Sequence, residues 1–143
     1  MIVVILVMLA SLAASMVRMS WSTAVTSGND IQAAHARQAA KAGVEWGLYT
    51  ALRGAWANCT SSTQTLDLRN TNGMLVTVTC SGNPTPYLEG GDQGGSARQV
   101  RIYTIEAVAC NGTTACPDDD SATNLGYVER RIRTSVADVN AQP

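Results

Sequence analysis

The sequence predicts an α+β fold in which one long N-terminal helix packs on a four-stranded antiparallel sheet carrying two disulfides. Three observations lead there. An uncharged apolar run opens the chain at Met1–Val17, no proline occurs before Pro84, and β-branched alternation begins only after Trp56. A helix and a sheet that each have an apolar side must cover one another, which makes a two-layer arrangement the economical solution.

The helix comes first. Met1–Val17 holds no charge, Pro or Gly, and at ~1.5 Å per residue it spans roughly 25 Å, slightly less than the ~30 Å hydrocarbon core of a bilayer. It suits a membrane, with Arg18 and Trp21 near the interface, or burial among copies of itself. No Lys or Arg precedes Arg18, unlike a secretory signal, so the run reads as a retained, already trimmed N-terminus beginning at Met1. Ser20, Ser22, Thr23, Val25, Thr26, Ser27 and Gly28 weaken the helix, and a kink or melted stretch is expected within 15–28. Asn29 or Asp30 then caps a second helical half, 29–56. The domain division is 1–28 for the hydrophobic half-helix and 29–143 for a globular head. In the second half Ile31, Ala34, Gln38, Ala42, Val44, Leu48, Leu52 and Ala55 form the stripe expected to meet the sheet, and Trp46, Tyr49, Arg53 and Trp56 form another.

Strands follow, within 64–136. Thr65–Leu68 alternates, and Met74–Cys80 places Val76, Val78 and Cys80 on one face. The Arg69–Gly73 link has hairpin chemistry. Ser81–Ser96, with Gly90, Gly91, Gly94 and Gly95, reads as an exposed loop. Strands three and four are Arg98–Ala109 and Tyr127–Val136, separated by a long loop with Asp118, Asp119 and Asp120. Cys59, Cys80, Cys110 and Cys116 all lie beyond the apolar run, and an even number there reads as two disulfides. Of three connectivities, Cys59–Cys80 with Cys110–Cys116 is favoured because each pair closes a local loop. The spacings lack a Cys-x-x-Cys pair and the single histidine is distant, which argues against zinc.

Chemistry-bearing residues are sparse. With one histidine, His35, and no Gly-rich phosphate loop, no catalytic constellation emerges, so a non-enzyme without cofactor or metal is expected. Net charge is −1, and any contact with nucleic acid or an anionic surface must come from a local patch. Arg101, Arg131 and Arg133, expected on the outward phase near Tyr103 and Tyr127, are the candidate contact, with a solvated face or inter-subunit salt bridges as the plainer alternative. The triple aspartate lacks the Gly and distal Glu of an EF-hand. Asn58-Cys-Thr60 and Asn111-Gly-Thr113 match the glycosylation sequon.

The whole-chain pattern of charge-free helix, amphipathic continuation, four-stranded sheet and C-terminal cysteines resembles a type IV pilin. AAKAGVEWGLYTAL at Ala39–Leu52, VTVTC at Val76–Cys80, AVAC ending at Cys110 and YVERRI at Tyr127–Ile132 are similar to the MshP-type proteins of the mannose-sensitive haemagglutinin pilus system. The resemblance implies the type IV pilin fold and a Gram-negative bacterial source. It implies a subunit cut by a prepilin peptidase before Met1 and methylated there. That subunit is held in the inner membrane, then extracted by an assembly platform into an extracellular pilus of itself and other pilins. Adhesion, motility or DNA uptake are the implied roles, with DNA a weak partner. Ile5, Leu6, Leu9, Ala10, Ala13, Ala14 and Val17 are the expected filament-core packing residues. Ile5 stands where most pilins have glutamate, which favours a minor or tip-located initiating pilin as one alternative. A pseudopilin of a type II secretion system and a membrane-anchored binding module that never polymerises are others.

Overall fold

A computed structural model describes residues 2–56, 59–83, 85–91 and 97–138, with the backbone alone for 18–26. The chain divides into two compact units, Met1–Gln32 and Ala33–Pro143. Its elements are α1 (Ile2–Arg53), β1 (Ser62–Leu68), α2 (Arg69–Asn72), β2 (Met74–Gly82), β3 (Tyr87–Gly91), β4 (Ala97–Cys110) and β5 (Glu129–Asp138). The fold is α+β, with a helix packed on an antiparallel sheet and two disulfides, and the sheet has five strands where four were expected.

α1 is helical throughout 15–28, so Asn29 and Asp30 lie inside it and cap nothing. The residues expected to melt it cost only a few tenths of a kcal/mol each, and about 1 for Gly28. Propagation from good helix formers on both sides outweighs that. At its far end Gly54 N and Trp56 N both donate to Thr50 O, at 3.1 Å, and close the last turn.

In the second unit β2 pairs with β1 on one side and β4 on the other, and β5 pairs with β4 along Arg101–Cys110. The additional strand is β3, whose Tyr87–Glu89 pair with Arg98–Val100, beyond the part of β4 that β2 reaches. Ser81–Ser96 is not one loop: its described part holds the end of β2 and all of β3. The Pro- and Gly-rich flanks hid a strand only five residues long. The Arg69–Gly73 link is a hairpin connection with one helical turn, ended by Gly73 in the left-handed region.

The core lies between α1 and one sheet face. Ala36, Ala39, Ala40, Val44 and Ala51 cluster with Val76, Val78, Cys80, Tyr103, Ile105, Ala107 and Ala109. The helix face differs from the expected stripe: Ile31, Ala34, Gln38, Ala42, Leu52 and Ala55 are exposed, while Val44 is buried and Leu48 partly buried. Two glycines explain the rotation. A Cβ on Gly43 would sit 2.6 Å from a Val76 methyl, and one on Gly47 would sit 2.8 Å from both Val78 and Ile105. Gly and Ala carry little hydropathy, so the side of closest approach is the quietest in sequence. Trp46 and Trp56 meet edge to face at 5.1 Å over this core, whereas Tyr49 is exposed.

Cys59–Cys80 and Cys110–Cys116 are the disulfides, with Cα separations of 5.3 and 5.6 Å. The first ties the segment after α1 to β2, where Gly82 N also donates to Cys59 O at 2.7 Å. The second closes the start of the loop between β4 and β5.

Candidate functional site

Two surfaces concentrate the residues singled out from the sequence. The first is the apolar stretch of α1. Every side chain from Ile2 to Val17 is exposed in the single chain, including Ile5 at 57 %, Leu6, Leu9, Ala10, Ala13, Ala14 and Val17. A helix apolar on all sides is stable only when something covers all of it. Its two hydroxyls are already satisfied: Ser11 Oγ donates to Met8 O at 2.8 Å and Ser15 Oγ to Leu12 O at 2.7 Å. The surface is thus uniformly suited to lipid or to other apolar helices. Among the described residues no helix is long and apolar enough to cross a membrane. Met1, the expected processed terminus, lies outside the described residues.

The second surface is the sheet face away from α1. Along β4 and β5, Arg131 and Arg133 stand opposite Val108 and Glu106 on this face. Arg131 reaches Glu106 at 3.2 Å and Glu129 at 3.8 Å, and Arg133 reaches Glu106 at 3.9 Å. Two carboxylates of the same chain thus pair with two guanidiniums, so this face is not an open cationic patch. Arg101 is not with them. It shares the strand phase of Tyr103, which is only 2 % exposed in the core, and stands opposite Asp138. The expected trio of arginines with Tyr103 and Tyr127 is therefore not assembled, because strand alternation separates Arg101 and Tyr103 from Arg131 and Arg133.

At one end this outer face is covered. Leu75, Val108, Cys110 and Cys116 form a second small core against which Tyr127 packs. Cys116 N donates to Thr77 Oγ1 at 2.8 Å, fixing the disulfide loop onto β2. Asp118 organises the rest: its carboxylate accepts from Thr113 N at 2.9 Å, Ser121 N at 3.1 Å, Ser121 Oγ at 3.0 Å and Thr113 Oγ1 at 3.2 Å. The backbone N–H groups of Thr113 and Ser121 hold the Asp118 carboxyl below the ordinary carboxylate range. Tyr127 OH accepts from Asp118 N at 3.1 Å and donates to Glu129 at 2.8 Å, and burial pushes the phenol up. Arg69, paired with Asp67 at 2.6 Å, donates to Thr113 O at 3.2 Å and ties the β1–β2 turn to the same loop.

The remaining motifs disperse. Asn111 spends both ends of its amide internally, donating to Gly126 O at 2.8 Å and accepting from Val128 N at 2.9 Å; Asn58 lies outside the described residues. His35 is exposed on α1. Among the described residues no group of His, Cys, Asp and Glu is placed to hold a metal ion. Sequence reading missed Gly43, Gly47 and the Asn111–Asp118–Tyr127 network. The available signals were the four-residue spacing of the two glycines and the density of Asn, Asp, Thr and Gly beside a short cysteine loop. No protein-family model, curated protein or solved structure matches the chain.

Proposed function

We propose that this protein is a non-enzymatic structural subunit of a type IV pilus-like extracellular filament, polymerising through α1, and that its architecture is the type IV pilin fold. The observation that carries the reading is Ile2–Val17, an all-round apolar helix with every side chain exposed in the single chain, followed in sequence by a disulfide-closed head. Burial is the driving force, at ~25 cal/mol per Å² of apolar area removed from water, and less when the helix comes from lipid. Small residues at Ala10, Ser11, Ala13, Ala14 and Ser15 allow close helix approach, so packing supplies what hydrophobicity alone does not. On this reading the subunit waits in the inner membrane and ends in a surface pilus. Adhesion, motility or DNA uptake are its roles, and the paired state of Arg131 and Arg133 keeps DNA a weak partner.

Ile5 favours one second reading. A buried carboxylate at that position would offset the terminal amine of a neighbouring subunit, and an uncompensated buried charge is costly. A subunit at the tip has no neighbour above it and needs no such carboxylate, so a minor or initiating pilin is the alternative. Electron cryomicroscopy of filaments sheared from cells, with mass spectrometry of the subunit N-terminus, tests both. A lattice repeating this chain with Met1 in its core supports the main subunit, and occurrence only at the tip supports the second reading. A short periplasmic assembly points to a secretion pseudopilin, and absence from every assembly overturns the proposal.

A further inference from the structure

We propose that Asn72–Gly73, in the turn between β1 and β2, is a self-modification site at which Asn72 converts to aspartate and isoaspartate, while the fold protects the chemically identical Asn111–Gly112 step. Both are asparagines followed by glycine, so no side chain shields the backbone nitrogen that must attack. In the reaction Gly73 N gives its proton to solvent base and bonds to Asn72 Cγ. Nδ2 takes up a proton from solvent, the Cγ–Nδ2 bond breaks and ammonia leaves. Water then opens the five-membered imide at either carbonyl, giving aspartate or isoaspartate, and water is the only co-reactant.

The two sites differ in what the reaction needs. At Gly73 a Cβ would meet nothing within 4 Å, and Asn70, Thr71 and Gly73 are exposed. The Asn72 amide is held only by a 3.2 Å bond from Met74 N to Oδ1, and its Nδ2 makes no hydrogen bond among the described residues. Gly73 N donates to Arg69 O at 3.1 Å, the closing bond of a four-residue helix, the kind of terminal bond that frays readily. Asn72 and Asn111 are both half-buried, but at Asn111 the amide and the glycine beside it are held differently. Nδ2 and Oδ1 are both bonded to backbone, Gly112 is buried, and Asp118 Cβ and Oδ2 lie 2.7 Å from where a Gly112 Cβ would stand. Conversion at Asn72 adds a negative charge to the turn that carries the Asp67–Arg69 pair. The isoaspartate form also adds a backbone methylene between two strands of fixed register.

The test is to incubate the folded, disulfide-intact full chain in mildly alkaline buffer and map deamidation by mass spectrometry after trypsin. Cleavage places Asn72 in Asn70–Arg98 and Asn111 in Ile102–Arg130, and fragmentation distinguishes the asparagines within each peptide. The expected result is conversion at Asn72 at least about ten-fold faster than at Asn111, with the difference lost after reduction and unfolding. An Asn72→Gln variant loses the signal at that position. The proposal is overturned if Asn111 keeps pace with Asn72 in the folded chain, or if Asn72 stays intact until the chain is unfolded. Neither result bears on whether the chain forms filaments, so this inference and the filament reading fail separately.

Discussion

Gly47 sets how closely α1 approaches the sheet, because a Cβ there would meet methyls of Val78 and Ile105 at 2.8 Å. Helix propensity alone favours Gly47→Ala by about 1 kcal/mol, but overpacking a filled core costs ~1–3 kcal/mol. The second effect wins. Gly47→Ala is expected to lower the melting temperature of the disulfide-intact chain by several degrees in circular dichroism, and an unchanged or raised value would show that the helix shifts at no cost. Acid response belongs to Asp118 and Asp67. Both carboxyls are depressed in the folded chain, Asp118 by the N–H groups of Thr113 and Ser121, and Asp67 to about 2 by Arg69. A depressed carboxyl contributes stability above its unfolded value of 3.8 and loses it as pH falls through the folded value. Amide exchange at Thr113 and Ser121 should therefore accelerate as pH falls below about 4, after correction for intrinsic rates. Asp118→Asn, which keeps one acceptor oxygen and replaces the other by a donor, should show fast exchange at one of the two amides at neutral pH already.

Of the two disulfides, Cys59–Cys80 spans a sequence separation of 21 and Cys110–Cys116 one of 6. Chain entropy alone then assigns them about 3 and about 2 kcal/mol respectively. Replacing each pair by serines and comparing urea midpoints should show the larger loss for Cys59/Cys80; the reverse order would mean that the small core of Leu75, Val108 and Tyr127 depends on its staple more than chain entropy implies. Both pairings were legible in the sequence because each closes a local loop. So was β2, whose Val76, Val78 and Cys80 alternate cleanly into the core. β3 was not, since Tyr87–Gly91 contributes few apolar side chains and owes its existence to the edge that Ala97–Val100 offers. Reading the helix face by hydropathy favoured Ile31, Ala42 and Leu52, whereas contact distance selected Ala36, Ala39, Ala40, Gly43 and Gly47. The arginine trio failed for a related reason: Arg101 and Arg131 sit on adjacent strands, and only the register decides which share a face.

At the scale of the whole molecule, the described residues that make up the two head cores all fall between Ala33 and Val136. Ile2–Val17 therefore adds apolar surface without contributing to the described cores of the head. The proposed assembly is therefore testable apart from folding of the head. A bulky residue at Ala13 or Ala14, such as Ala14→Trp, removes the small surface needed for close helix approach and leaves the head untouched. Its expected signature is a large fall in filaments recovered by shearing, with the head's melting temperature and both disulfides unchanged. Equal loss of filaments and of head stability would tie the helix to folding instead. Full assembly with tryptophan at this site would mean that Ala14 does not face a neighbouring helix. Ile5→Glu separates the two subunit readings in the same assay. If Ile5 marks a tip subunit, a glutamate supplies the carboxylate that a neighbouring terminal amine lacks, and the variant should enter filaments along their length. If the chain is a main subunit that packs around Ile5, the same change buries an extra charge and filament yield should fall.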